Sequence, residues 1–162
     1  MTPVTIAPFE TAQRGNLVDL AVRAWTGVLD KTAEDVPRFV YDNFYPSGWQ
    51  ARQRADVGAL LDTEPQNVWV ALSVDEIVGF AGLRCHPEDR MGEIVIVAVD
   101  PRYQRRGIAR QLMAFAEQRF AEAGLSMVMV ETIGDRGHAP ARLTYEADGY
   151  EPWPVARYFK KL

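Results

Sequence analysis

Residues 97 to 112 read VAVDPRYQRRGIARQL: the end of an apolar, β-rich run, a proline turn, a cluster of arginines around one glycine, and the opening of an amphipathic helix. A strand, a basic turn and a helix in that order can seat an anion such as phosphate. The first turn of a helix presents unpaired backbone N–H groups and a partial positive charge. Gly107 lets the backbone approach closely, and Arg102, Arg105, Arg106 and Arg110 add charge. The same residues also fit an ordinary strand-to-helix connection with solvated arginines, so the flanking segments decide.

Beyond the turn, Ile108, Leu112, Phe115, Ala116 and Phe120 recur at helical spacing, and Gly124 closes the helix. Before it, GEIVIVAV (92–99) is continuously apolar, as a strand covered on both faces is. Further upstream, NVWVALSV (67–74) and IVGFAGLRC (77–85) flank a polar turn at Asp75-Glu76 and read as an antiparallel hairpin.

Toward the N-terminus, Val4 to Ala7 forms a short strand, and Leu17, Leu20, Ala21, Ala24, Trp25 and Val28 lie on one face of a helix. Thr32 with Asp35 reads as a capping box opening a second helical segment through Val36, Phe39, Val40 and Phe44. Tyr45-Pro46-Ser47-Gly48 breaks it, and a helical piece with Trp49, Val57, Leu60 and Leu61 follows. Downstream, LSMVMVETI (125–133) is a strand, Pro140 to Asp148 a short helix capped by Gly149, and YEPWPVARYFKKL (150–162) a broken strand or β pair.

This order predicts an α/β fold with one mixed sheet, antiparallel at first and parallel around the basic turn, flanked by about four helices. Ligands of such sheets sit at the carboxyl ends of the strands, where the turn lies. With 162 residues, one domain over 1–162 is expected, and 48% hydrophobic and 25% charged residues are usual for a globular protein. No run is long enough for a membrane span, the first ten residues have no secretory pattern, and the single cysteine, Cys85, fits a cytoplasmic location. A net charge of −4 argues against broad nucleic-acid binding, and two histidines with one cysteine offer no metal-ligand set. A dinucleotide turn would need three glycines where only Gly107 stands, and no Gly-Lys-Ser or Gly-Lys-Thr occurs for a Walker loop.

The segment Gln104-Arg105-Arg106-Gly107-Ile108-Ala109, placed after the strand EIVIVAVDP (93–101) and followed far downstream by ARLTYEADGY (141–150), resembles the motif order of the GNAT superfamily of N-acetyltransferases. The resemblance covers about residues 67 to 162, and only weakly the first 66. It implies acetyl-CoA as co-substrate, with the backbone N–H groups of residues 105 to 109 holding the pyrophosphate and Gln104 belonging to the same motif. The strand holding Val97, Ala98 and Val99 is then expected to splay from its neighbour, pair with pantetheine and polarise the thioester carbonyl.

The resemblance also implies chemical roles. Glu93, opening the central strand, takes a proton from the amine, with Glu131 as reserve; Tyr145 protonates the departing thiolate. A solvated carboxylate at a strand end and a half-buried aromatic are the plain structural alternatives. His138 stands where the family often has an asparagine that binds the pantetheine arm; an exposed loop histidine is the alternative. Cys85 could carry an acyl group in a ping-pong route, though no histidine base is placed beside it by the sequence. Trp25 and Tyr45 are candidate pocket residues for the amine or core residues of the helical region, and Asp30 and Asp42 could attract a cation.

Direct transfer of an acetyl group to a small primary amine in a ternary complex is the leading expectation. Acetylation of a protein lysine or N-terminal amine and a non-catalytic acyl-CoA sensor are the alternatives. A homodimer is expected from the apolar, aromatic PVARYFKKL end.

Overall fold

A computed structural model describes residues 3–162. The elements in chain order are β1 (Thr5–Pro8), α1 (Arg14–Trp25), α2 (Val28–Asp35), α3 (Arg38–Phe44), α4 (Trp49–Thr63), β2 (Val68–Ser73), β3 (Glu76–His86), β4 (Met91–Val99), α5 (Ile108–Glu122), β5 (Met127–Val130) and α6 (Ala139–Ala147), with short 3₁₀ turns between some of them. The chain divides into two compact units: residues up to Ala24 with Gln53–Glu131, and Trp25–Arg52 with Thr132–Leu162.

The first unit holds a five-stranded sheet in the order β1-β2-β3-β4-β5. The first three pairings are antiparallel and the last, β4 with β5, is parallel across the α5 crossover, so the expected mixed sheet is observed. The hairpin loop is Val74-Asp75, one residue earlier than expected, because Ser73 pairs with Glu76. The core is apolar: Leu17 and Leu20 of α1, Val68 and Val70 of β2, Val78 and Phe80 of β3, and Ile108, Leu112 and Met113 of α5 are all fully buried. Each such side chain contributes about 1.5–3 kcal/mol relative to exposure.

Close approaches identify the two faces of the sheet. A Cβ on Gly92 would lie 2.2 Å from the Phe120 ring of α5, whereas one on Gly82 would meet Leu60 of α4 at 2.8 Å and Ile96 at 3.0 Å. So α5 covers one face and the C-terminal part of α4 the other. The register of β3 against β4 shifts at Gly82/Leu83: Gly82 faces Ile96 but Leu83 faces Ile94, leaving Val95 as an extra residue. This bulge changes the alternation of β4. Glu93 lies on the same face as Arg84 and His86 of β3 by direct register, and the bulge puts it on the α4 face with Ile96 as well, although only two residues separate Glu93 from Ile96.

The second unit contains α2, α3, the first residues of α4, and α6. Among the described residues there are six α-helices where about four were expected. The extra boundaries have local causes. Gly27 adopts φ 82° and separates Val28, now the first residue of α2, from α1; Pro37 forces Val36 into extended backbone (φ −107°, ψ 154°) and separates α2 from α3. The capping box is not formed, because Thr32 lies inside α2 and its hydroxyl is directed to the Val28 carbonyl and the Asp135 carboxylate. β5 is only four residues long. Residues 148–162 hold no strand. Pro152 and Pro154 lack the N–H that a ladder needs at alternate positions, and the expected terminal strand is therefore not formed. Among the described residues no helix is long and apolar enough to cross a membrane.

Candidate active site

The basic turn is organised from beneath by Asp100, which is completely buried. Its Oδ1 accepts the backbone N–H of Arg102 and that residue's Nε, both at 3.0 Å, while Oδ2 accepts from Arg23 at 2.9 and 3.1 Å. Hydrogen bonding to Arg102 above all holds the carboxyl at about 2, against the opposing effect of burial. Arg102 also reaches Glu76 at 2.7 Å. Its charge is thus already matched by two carboxylates of the protein, which weighs against Arg102 as a source of charge for a bound anion.

Above this anchor the backbone turns through two left-handed residues, Arg105 at φ 60° and Gly107 at φ 77°. Gly107 is the N-cap of α5, and the first turn of that helix carries no acidic residue. The N–H of Gln111 is the first to find an intrahelical partner, the Gly107 carbonyl at 3.1 Å. The amides of Ile108 and Ala109 thus occupy end positions of the kind that an anion can satisfy. Gln104 is exposed and donates its amide to the Val99 carbonyl at 3.1 Å, tying the turn to the strand end; Arg106 lies over the Tyr103 ring at 5.1 Å.

β4 and β5 pair only from Met91↔Met127 to Ile94↔Val130, whereas β4 continues along β3 as far as Val99. The β5 side of residues 95–99 therefore has no strand beside it among the described residues. Val97, Ala98 and Val99 lie on this stretch, which leads directly into the turn. An extended ligand with amide groups can pair there as a strand would.

Glu93 sits just before the parting of the strands, with its side chain 20% exposed. His86 Nε2 is 2.7 Å from its Oε2 and Arg84 is 3.7 Å away. Arg84 itself is engaged by Glu64 at 2.6 and 3.3 Å. Glu131, the reserve carboxylate, is exposed and lies one residue past β5. Cys85 is exposed, and strand alternation turns it to the face opposite His86 and Glu93, so no acyl-carrier pair is formed there.

In the second unit the loop 132–138 is fastened to α2. Asp135, 8% exposed, accepts from the Thr32 hydroxyl and from His138 Nδ1 at 2.5 Å. Arg136 reaches Asp35 and Glu34, and Arg142 caps the Ile133 and Asp135 carbonyls. The Asp135 carboxyl is held below its usual range because the Thr32 and His138 hydrogen bonds outweigh its burial. His138, the N-cap of α6, has a side chain only 12% exposed and is not the solvated loop residue that was the alternative. With Nδ1–H on Asp135, its Nε2 is left as the second hydrogen-bonding position.

Tyr145 lies two turns along the same face of α6 from His138, half-buried, with its ring 6.0 Å from Tyr150. Burial pushes its phenol up, which keeps it protonated through the neutral range. Trp25 and Tyr45 are half-buried, and Tyr45 stacks obliquely on Tyr41 at 4.8 Å.

One unit thus brings together Glu93, the open stretch 97–99 and the basic turn; the other carries His138, Tyr145, Trp25 and Tyr45. His86, Asp100 and Asp135 were not singled out by sequence as site partners. Asp135 had a legible signal, its i,i+3 spacing from His138. His86 had none, because its approach to Glu93 depends on the pairing register of the β3–β4 connection, Arg84 with Glu93 and His86 with Met91.

A family model described as the acetyltransferase (GNAT) family matches residues 32–150. A mycothiol acetyltransferase of Rhodococcus jostii (strain RHA1) is 27% identical over 161 residues, 89% of this chain and 50% of the relative. One from Kocuria rhizophila is 33% identical over 99 residues, 57% of this chain and 32% of the relative. The chain spans half or less of the length of these curated relatives. Among solved structures, the PaiA N-acetyltransferase of Thermoplasma acidophilum in complex with coenzyme A superposes with a TM-score of 0.72 at 14% identity, covering 95% of this chain and 93% of that one.

Proposed function

Because the chain belongs to the acetyltransferase (GNAT) family, we propose that it transfers the acetyl group of acetyl-CoA to a primary amine of a small molecule, by direct attack in a ternary complex. The observation that carries this reading is the parting of β4 from β5 after Ile94, immediately before a turn that leads into the N-terminus of α5. An extended amide-bearing arm and a pyrophosphate need these two features side by side. The residues present fit acetyl-CoA: the backbone of Val97 to Val99 for the pantetheine amides, the turn from Gln104 to Ala109 for the pyrophosphate, and Nε2 of His138 as an acceptor for an amide N–H.

In this mechanism Glu93 takes the proton that an amine carries at neutral pH, freeing the nitrogen lone pair for attack on the thioester carbonyl. A backbone N–H of the 97–99 stretch polarises that carbonyl. As the carbon–sulfur bond breaks, the phenol of Tyr145 passes its proton to the sulfur; the buried environment that keeps this proton in place supports the assignment. Trp25, Tyr45 and Glu131 are assigned to the acceptor side. The small-molecule class is favoured by the mycothiol acetyltransferase relatives.

We treat residues 1–162 as one catalytic domain acting in the cytoplasm, where acyl thioesters are available. We also assign it a homodimeric state, supported by the exposed Trp153, Val155 and Tyr158 of the C-terminal segment. Light scattering at high concentration checks the dimer; a monomeric mass refutes it.

The functional test is a panel of polyamines, aminoglycosides, amino acids and peptides incubated with acetyl-CoA, reading free thiol. Acetylation of a small amine is expected. Exclusive acetylation of peptides would favour a protein acceptor, and CoA binding without turnover of any amine would favour a sensor.

A further inference from the structure

The carboxylate assigned to the amine step is held by neighbours that the family assignment does not mention. Glu93 Oε2 lies 2.7 Å from His86 Nε2, and the nearest permanent charge, Arg84, stands 3.7 Å away. Arg84 is drawn aside by Glu64, which meets its Nη2 at 2.6 Å and Nε at 3.3 Å and is itself steadied by Asn67 at 3.3 Å. On the other side of the imidazole, Nδ1 is 3.8 Å from the exposed Glu88.

We propose that His86 is a positioning residue for Glu93: its Nε2–H pins one carboxylate oxygen, aims the other at the amine proton, and weakens the base when the imidazole becomes charged. This inference rests on the reading of Glu93 as general base.

The argument turns on which cation the base is given. A guanidinium does not lose its charge, so a bidentate Arg84–Glu93 pair would hold the carboxylate ionised at every working pH and make it a poor proton acceptor. Glu64 prevents that by taking the Nη2 and Nε of Arg84, which leaves only Nη1 facing Glu93, at 3.7 Å. The partner left to Glu93 is an imidazole, which when neutral orients an oxygen through one hydrogen bond and when protonated adds a full positive charge at the same distance. The proton from the amine goes to the second oxygen of Glu93, and the resulting acid returns it to solvent while Oε2 keeps its hydrogen bond. The charged groups facing this pair are Arg84 on β3, Glu88 in the turn after β3, and, through Arg84, Glu64 after α4.

Two kinds of measurement test this. The chain has only two histidines, so imidazole N–H signals in NMR are readily assigned with His86→Gln. A downfield Nε2–H resonance of His86 protected from water is expected in the wild-type protein and should vanish in Glu93→Ala. Kinetically, with acetyl-CoA and the amine of the panel that reacts fastest, His86→Ala should lower kcat about tenfold with an unchanged KM for acetyl-CoA.

His86→Gln keeps an N–H donor but cannot charge. It should retain kcat within about threefold at high pH and lose the part of the acid fall in kcat that depends on a charged imidazole. Glu64→Gln, which frees Arg84 to pair with Glu93, should lower kcat about tenfold while the acid fall persists. Wild-type kcat and profile in His86→Ala, an acid fall unaltered in His86→Gln, or no protected resonance overturns the proposal. A panel in which no amine reacts ends the functional reading instead, and the relation of His86 to a base ends with it. A protected resonance beside a fully active Glu93→Gln refutes Glu93 as the base and leaves His86 a structural hydrogen bond.

Discussion

Asp100 accepts both the backbone N–H and the Nε of Arg102 at 3.0 Å with one oxygen, while the other holds Arg23 at 2.9 Å. The carboxyl, 1% exposed, is held at about 2, below the ordinary value of 3.8. A carboxyl lowered on folding contributes stability that is present above its unfolded value and is lost as pH falls through the folded one, here between about pH 4 and pH 2. The contribution is about 2 kcal/mol. Asp100→Asn should therefore lower stability at neutral pH by roughly that amount and flatten the acid limb of the urea midpoint below pH 4. A variant with the wild-type acid limb would assign that limb to other carboxylates.

The same pairing predicts a division among the arginines of the basic turn. If CoA lies on the α5 N-terminus, it raises the thermal midpoint by mass action. Gly107→Glu, which puts a side chain and a negative charge at a φ of 77° in front of the helix, should abolish that rise. Arg102→Ala should leave most of it, since Arg102 is already matched by Asp100 and Glu76. A folded Gly107→Glu protein with an undiminished shift would remove the phosphate assignment.

The sheet and the turn were legible because their signals are local: continuous apolar strands, a hairpin, and a glycine at the start of a helix. The bulge at Val95 was not, because nothing in the run EIVIVAV marks which valine or isoleucine fails to pair. Whether Glu93 shares a face with Ile96 depends on that one residue, while its contact with His86 rests on a register, Arg84 with Glu93 and His86 with Met91, that the sequence does not mark. The role of Thr32 was misread for a related reason. Its spacing from Asp35 satisfies a capping box, but the buried carboxylate of Asp135, 103 residues away, takes its hydroxyl instead.

That fastening of the loop 132–138 to α2 can be probed by two neighbouring glycines. A Cβ on Gly137 would stand 2.4 Å from the Val28 carbonyl oxygen, a backbone atom with little room to yield, whereas one on Gly134 would meet nothing within 4 Å. Gly137→Ala should cost about 1–3 kcal/mol and Gly134→Ala within about 0.5 kcal/mol, read as chemical-denaturation midpoints. Equal effects would show that the loop moves freely against α2.

The chemical assignments separate by pH. An amine acceptor arrives largely as ammonium at neutral pH, so replacing Glu93 by Gln, which keeps the shape but cannot take a proton, should lower kcat about 10²-fold. CoA affinity should be nearly unchanged, and the loss should shrink as pH rises and the amine sheds its proton unaided. Tyr145→Phe should show the opposite trend. Burial keeps the Tyr145 proton in place where solvent acid is scarce, so its removal should hurt most at high pH, where the departing thiolate has no other donor. Parallel pH profiles of kcat and kcat/KM for the two variants, with one acceptor, distinguish the roles. If Glu93→Gln keeps the wild-type profile, the proton leaves by Glu131 or through water to bulk solvent; if the two variants lose activity in parallel at every pH, neither acts as the acid or base assigned to it.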